Sequence, residues 1–269
     1  MLQAVARPRS IADAQSILAG SDRAAIIAGG TVIMPVLNYG TDAFDTLVSL
    51  RGSGLSGISM AGHRVTIGAT TALSELETHD KLGFLRPALD AIGSPTIRNM
   101  ATVGGNLFVK QPYGDFAACL IALGAEATIA GPNGNRSEPV EMTVTSALRR
   151  GEIVTSVSFA LPAAGAFKFR KAARKAFNSG AIVTVAAVVE VSSGNVDNCR
   201  IALGGVAKSA IRAPSVEKAL TGKPLERGNV EAAAKEARHD IAPFDDAYAS
   251  AWYRARVTPV HIRRALLDE

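Results

Sequence analysis

The chain of 269 residues has little cysteine, few aromatic residues and no long apolar run. Its two cysteines, Cys119 and Cys199, are far apart and neither has a Cys-x-x-Cys neighbour. The chain therefore offers no thiolate set of its own for zinc or an iron–sulfur cluster. Cys119 lies in "FAACLIAL", where a small buried thiol is ordinary core. The four histidines, His63, His79, His239 and His261, are scattered without ligand spacing, which argues against a metal site built by this chain alone. Apolar runs such as "AIVTVAAVV" (181–189) fall well short of the ~20 residues a membrane-spanning helix requires. "MLQAVARPRSIADAQ" at the N-terminus lacks the apolar segment of a secretory signal, so the expected location is cytoplasmic. Aromatic residues are 5% of the chain, too few for nucleic-acid stacking, and no nucleic-acid motif is present. The net charge of +5, gathered in "FKFRKAARK" (167–175) and "WYRARVTPVHIRRALL" (252–267), fits solvated faces or an anionic partner better.

What is present is a succession of strand and helix signals. "SIADAQSILAG" (10–20) has helical spacing and stops at Gly20, a candidate cap. "AAIIAGG" (24–30) is a short buried strand that ends in a glycine turn. "HRVTIGATTALSELETH" (63–79) reads as strand, turn and helix, with Thr71 or Ser74 as N-cap, and "LRPALDAIGS" (85–94) as a helix ending at Gly93. Asn133-Gly134 between two β-like runs predicts a hairpin, and "EIVTSVSFALP" (152–162) a strand terminated by Pro162. After a small loop at 163–167, residues 181–207 form two β-rich stretches turning at Ser193-Gly194-Asn195, and the remainder is helical. Strands followed by segregated helices predict an α+β fold with a boundary near 163–166.

Two glycine pairs stand out. Gly29-Gly30 follows the first apolar run in "IIAGGTVIMP", and Gly104-Gly105 closes on Asn106 in "TIRNMATVGGNLFVKQPYGD". Such turns let the backbone approach a ligand with no Cβ in the way, and their successive amides make a concavity for anions. Neither pair belongs to a Rossmann G-x-G-x-x-G or a P-loop, and neither loop contains Lys or Arg. A phosphate bound there would rest on amides and on hydroxyls such as Thr31 and Thr102. From spacing alone, two tight turns are the better account of the pattern.

"AGGTVIMP", then "SPTIRNMATVGGNLFVKQPYGDFAACLIALGAEATI", resembles the FAD-binding medium subunits of the molybdenum hydroxylases, the carbon monoxide dehydrogenase and xanthine dehydrogenase type. "IALGGVAKSAIRAPSVEKALTGK" (201–223) and "SAWYRARVTPVHIRRAL" (250–266) resemble the same family's C-terminal domain, so the likeness covers nearly the whole chain. It implies a two-part FAD-binding domain of the vanillyl-alcohol-oxidase-like (PCMH) type over residues 1–164, with a break near 55. A C-terminal domain with a small antiparallel sheet and helices would follow over 165–269. It further implies that Ala28, Gly29, Gly30, Thr31, Val32, Ile33 and Met34, with Thr102, Gly104, Gly105, Asn106 and Asp115, bind FAD. In that picture amides of both loops hold the pyrophosphate and Asp115 accepts hydrogen bonds from the flavin's sugar hydroxyls, or N-caps the helix at Phe116.

No catalytic side chain and no metal ligand is expected in this chain. The resemblance places molybdopterin on a large partner subunit and two [2Fe-2S] clusters on a small one, assembled as a dimer of heterotrimers. Electrons would then leave through FAD to an external acceptor. The cysteine count excludes the variant with an extra cluster on this subunit. The chain departs from the family where Val32 replaces Asp or Ser, where Thr96 replaces Gln, and at Asn178-Ser179. Lys168, Arg170 or Lys171 is expected either to bring positive charge to the cofactor or to be solvated. The basic C-terminal helix is expected to dock on partner subunits or pack on the flavin domain. A stand-alone flavin oxidase and an assembly subunit without FAD are the alternatives.

Overall fold

The computed structural model describes residues 2–41, 43–146, 148–176 and 178–269. Three sheets follow one another along the chain. The first is a small parallel sheet of β1 (Ala4–Ala6), β2 (Ala24–Ile27) and β3 (Thr46–Ser49) in the order β1-β3-β2. Helix α1 (Ile11–Gly20) joins β1 to β2, and α2 (Ile33–Asn38) joins β2 to β3. Ser10 caps α1, its hydroxyl accepting from the Asp13 amide at 3.0 Å. Ala14 and Leu18, one helical turn apart, bury against Val48 and Leu50. Gly20 is the last helical residue and Ser21 follows as the cap, one place later than the glycine signal predicts.

The second sheet is antiparallel and holds β4 (Ile58–Ala61), β5 (Arg64–Gly68), β6 (Glu126–Gly131), β7 (Gly134–Pro139) and β8 (Ile153–Ala160) in the order β4-β5-β8-β6-β7. Between β5 and β6 the chain makes α3 (Leu73–Glu77), α4 (Arg86–Asp90), α5 (Pro95–Arg98), α6 (Val103–Leu107) and α7 (Asp115–Ala122). The short α8 (Val140–Thr145) leads from β7 towards β8. The predicted hairpin forms, with Gly131 paired to Gly134 across Pro132-Asn133. Neither Thr71 nor Ser74 caps α3. Ala72 holds that place, and the Glu75 carboxylate accepts from its amide at 2.9 Å. Thr71 is buried and spans to Gly57, accepting from its amide at 2.9 Å and donating to its carbonyl at 3.1 Å.

The third sheet contains β9 (Phe167–Ala173), β10 (Ala181–Ser192), β11 (Asn195–Gly204) and β12 (Ile211–Arg212), antiparallel in that order. β10 and β11 turn at Ser193 and Gly194 with φ of +51° and +83°, the left-handed pair that two-residue hairpin turns require. β10 is apolar on both faces because both are covered. Val183, Val185, Ala187 and Val189 bury against α9 (Pro214–Leu220), α10 (Arg227–Ala234) and α11 (Ala251–Leu266). On the opposite face Ala186 and Ala202, paired across the strands, admit α7 into close contact. The basic C-terminal helix is therefore core of its own unit. Arg254 is fully buried, and its guanidinium donates to the carbonyls of Ala181, Ile182 and Gly205 at 2.7–2.9 Å and pairs with Asp246 at 2.7 Å.

Helix α7 joins the second and third sheets, and all eight of its residues are buried. Its first residue, Asp115, is 1% exposed. The Lys171 ammonium of β9 donates to Oδ2 at 2.7 Å and to the Ala91 carbonyl at 3.0 Å, while the Thr184 hydroxyl of β10 donates to Oδ1. Burial raises the Asp115 carboxyl above its ordinary value, and Lys171 and Thr184 oppose that rise. Removing one member of such a pair leaves the other charge buried and alone. Lys171→Met should therefore cost about 3–5 kcal/mol in urea unfolding. Adding Asp115→Asn to that variant should recover part of the loss, whereas strictly additive losses would show that the two groups are not coupled.

Candidate functional site

The two glycine loops lie on one cleft. It encloses about 660 Å³ between the first and second sheets. Ala28, Gly29, Gly30, Thr31, Val32 and Ile33 line one wall, and Thr102, Gly104, Gly105 and Asn106 line the facing one. The loops touch. A Cβ built on Gly29 would stand 1.9 Å from the Met100 carbonyl oxygen, so only glycine lets the first loop lie against the approach to the second. Gly30 follows at φ +76°, in the left-handed region, and turns the chain into α2.

The loops differ in what they leave free. In the second loop Val103 N donates to Thr71 O at 3.0 Å and Gly104 N to Ala69 O at 2.8 Å. Gly105 N donates to Thr102 Oγ1 at 3.1 Å and Asn106 N to Thr102 O at 2.9 Å. These four amides are spent within the protein. In the first loop the amides of Gly29, Gly30, Thr31 and Val32 have no acceptor among the described residues. The first loop therefore keeps free backbone donors, whereas the second, its amides spent, offers the Thr102 hydroxyl and the Asn106 amide group. Val32, 48% exposed, is the residue before α2, and its side chain has no oxygen with which to claim those free amides.

Two residues expected at the site lie elsewhere. Asp115 is outside the cleft lining and 1% exposed, with Lys171 donating to one of its carboxylate oxygens and Thr184 to the other. It does not cap α7 either. Asn106 does so in its place, its Oδ1 accepting from Phe116 N at 3.2 Å while the residue lines the cleft. Met34 also lies outside the lining and packs its side chain over Gly30. Among the basic candidates, Lys168 pairs with Asp268, Arg170 donates to the Glu269 carbonyl, and none of Lys168, Arg170 and Lys171 lines the cleft.

The cleft instead takes its charge from a turn that the glycine pattern did not indicate. Residues 148–154 form its far end, with Arg149, Arg150 and Glu152 beside Ile153 and Val154. Glu152 is buried and accepts from the Arg136 guanidinium at 2.9 and 3.0 Å. It also accepts from the Arg149 amide at 2.8 Å, while Glu152 N donates to Arg149 O at 2.9 Å. The hydrogen bonds from Arg136 hold its carboxyl down at about 2. An arginine pair before a strand is too common a pattern to mark a site, and only the fold carries it to this cleft.

The cleft thus combines four unpartnered amides at Gly29 to Val32 with an apolar lining that includes Leu18, Ala24, Ile26 and Ile153. Residues 2–163 match the family described as the FAD binding domain in molybdopterin dehydrogenase, and 167–268 match the CO dehydrogenase flavoprotein C-terminal domain. The carbon monoxide dehydrogenase medium chain of Afipia carboxidovorans is 32% identical over 272 residues, covering 97% of this chain and 94% of that one. The glyceraldehyde dehydrogenase medium chain of Sulfolobus acidocaldarius is 28% identical over 273 residues, 97% of this chain and 96% of that one. Among solved structures, carbon monoxide dehydrogenase from Hydrogenophaga pseudoflava lacking the Mo-pyranopterin moiety of its cofactor aligns with a TM-score of 0.93 at 30% identity. That alignment covers 99% of this chain and 96% of the other.

Gly29→Ala should force the loops apart at a cost of about 1–3 kcal/mol, the usual range for overpacking, and strip bound flavin from the purified chain. Retention of flavin would show that the loop contact is dispensable. Glu152→Gln should destabilise the protein at pH 7 by about 1–3 kcal/mol. Because the folded-state value lies below the ordinary 4.5, the stabilisation is present above 4.5 and fades as pH falls towards about 2. Urea midpoints of variant and parent should therefore converge across that window, and a constant gap would trace the effect to packing instead of charge.

Proposed function

The chain belongs to the FAD-binding medium subunits of the molybdenum hydroxylases, an oxidoreductase family, and we propose that it relays electrons between iron–sulfur clusters of a partner and an external acceptor. The observation that supports this reading best is the meeting of both glycine loops on one cleft, with four unpartnered amides in the first. We assign the cofactor contacts to Ala28, Gly29, Gly30, Thr31, Val32 and Ile33 on one wall and to Thr102, Gly104, Gly105 and Asn106 on the other. Met34 supports the first loop from behind, and Asp115 fixes α7. On this reading residues 1–164 form the flavin domain and 165–269 the C-terminal domain.

Bound here, FAD would supply one- and two-electron redox chemistry, and the protein's part is position and electrostatics. Gly29 to Val32 would donate to the diphosphate. Thr102 and Asn106 would orient its other side, and the apolar end lined by Leu18, Ala24, Ile26 and Ile153 would take the adenine and exclude water from it. No side chain of this chain need move a proton in substrate oxidation. The partners would be a large molybdopterin subunit and a small subunit with two [2Fe-2S] clusters, arranged as a dimer of heterotrimers in the cytoplasm. Among the described residues no helix is long and apolar enough to cross a membrane.

Purification of the complex from its native source, followed by metal and cofactor analysis, tests the reading. Molybdenum, iron and FAD in one assembly are expected. FAD with no molybdenum or iron would indicate a stand-alone flavoenzyme, and an assembly without the flavin absorption band would indicate a subunit that has lost its cofactor.

A further inference from the structure

The charges that line the cleft are Asp22, Arg149, Arg150 and Glu152. Arg150 is paired with Asp22 at 2.8 Å, and Glu152 is held from behind by Arg136. The Arg149 side chain is exposed and makes no salt bridge among the described residues, its charge acting only at longer range on Glu152, which also fixes its main chain at both N and O. It is therefore a free guanidinium on a braced turn, next to the apolar end of the cleft. The ligand proposed above is doubly anionic at its diphosphate, and neither glycine loop carries a cation. Four neutral amides leave that charge only partly compensated.

We propose that Arg149 is a binding residue for the adenosine-side phosphate of the dinucleotide, an inference that rests on the flavin reading above. The placement follows from the lining. Arg149 shares the end of the cleft with Ile153, Ala24 and Leu18, where an adenine would lie, whereas Phe108 and Val109 line the stretch beside the second glycine loop. A guanidinium suits the task because its fork of donors meets two phosphate oxygens at once. The residue selects for ligand chemistry too. A flavin that carries an adenosine phosphate gains from Arg149, and a flavin mononucleotide does not reach it.

The test uses the full-length chain freed of flavin, with dissociation constants for FAD, ADP and FMN measured by calorimetry at low and high salt. Arg149→Gln should bind FAD and ADP about tenfold more weakly, in the range of one lost charge-assisted contact, and FMN unchanged. The salt dependence of FAD binding should be shallower in the variant, because one charge pair has gone. Arg149→Lys should recover part of the affinity. Because the side chain is exposed and unpaired, thermal melting of each variant should match the parent. Unchanged FAD affinity and salt dependence in Arg149→Gln would overturn the inference while leaving the flavin reading intact, and so would an equal loss for FMN. If the unsubstituted chain binds no FAD at all, the flavin reading fails and this inference with it.

Discussion

The contact between Gly29 and the Met100 carbonyl is the constraint from which the site follows. The first loop ends a strand of the parallel sheet, and the second begins a helix that packs on the antiparallel one. Holding them in van der Waals contact fixes the two sheets around a common cleft. The core beneath confirms the joint, since Ile153 of the second sheet is buried among Ala14, Leu18, Val48 and Leu50 of the first unit. A side chain at position 29 would part the two walls of the cleft.

That contact also divides the work between the loops. The second is rigid because its amides are satisfied by Ala69, Thr71 and Thr102, and a Cβ on Gly104 would meet Ala69 at 2.8 Å. The first is supported by the second and keeps its own donors open. Buried polar groups elsewhere serve the same end. Asp115 ties α7 to β9 and β10, while Asn106 reaches from the cleft to the start of α7, so the floor of the site and the joint to the C-terminal unit are one network.

Much of this was legible in the residues. Gly-Gly after an apolar run marks a backbone that must approach something closely, and both such places are in the cleft. Turn chemistry located the hairpins at Asn133-Gly134 and Ser193-Gly194, where glycine and a positive φ leave few alternatives. The strands β1, β3 and β4 were not legible, because segments of three or four residues establish no period and these, unlike the equally short β2, do not run into a Gly-Gly turn. The caps of α3 and α7 were misplaced for a common reason: the capping oxygen belongs to Glu75 in one case and to the distant Asn106 in the other, not to the residue at the helix start. The role of Asp115 depended on which side of α7 faces β9, and the turn at Arg149 on which strand follows it. Both are facts of tertiary packing that no local pattern carries.

The alanine pair beneath α7 has one more consequence. Because Ala186 and Ala202 are so short, the helix backbone settles directly onto the third sheet, and the apolar surface it covers there cannot be left bare in water. The boundary between the two matched families falls near residue 165, and this contact crosses it. Residues on both sides of that boundary thus share one apolar contact, through α7 on one side and β10 and β11 on the other.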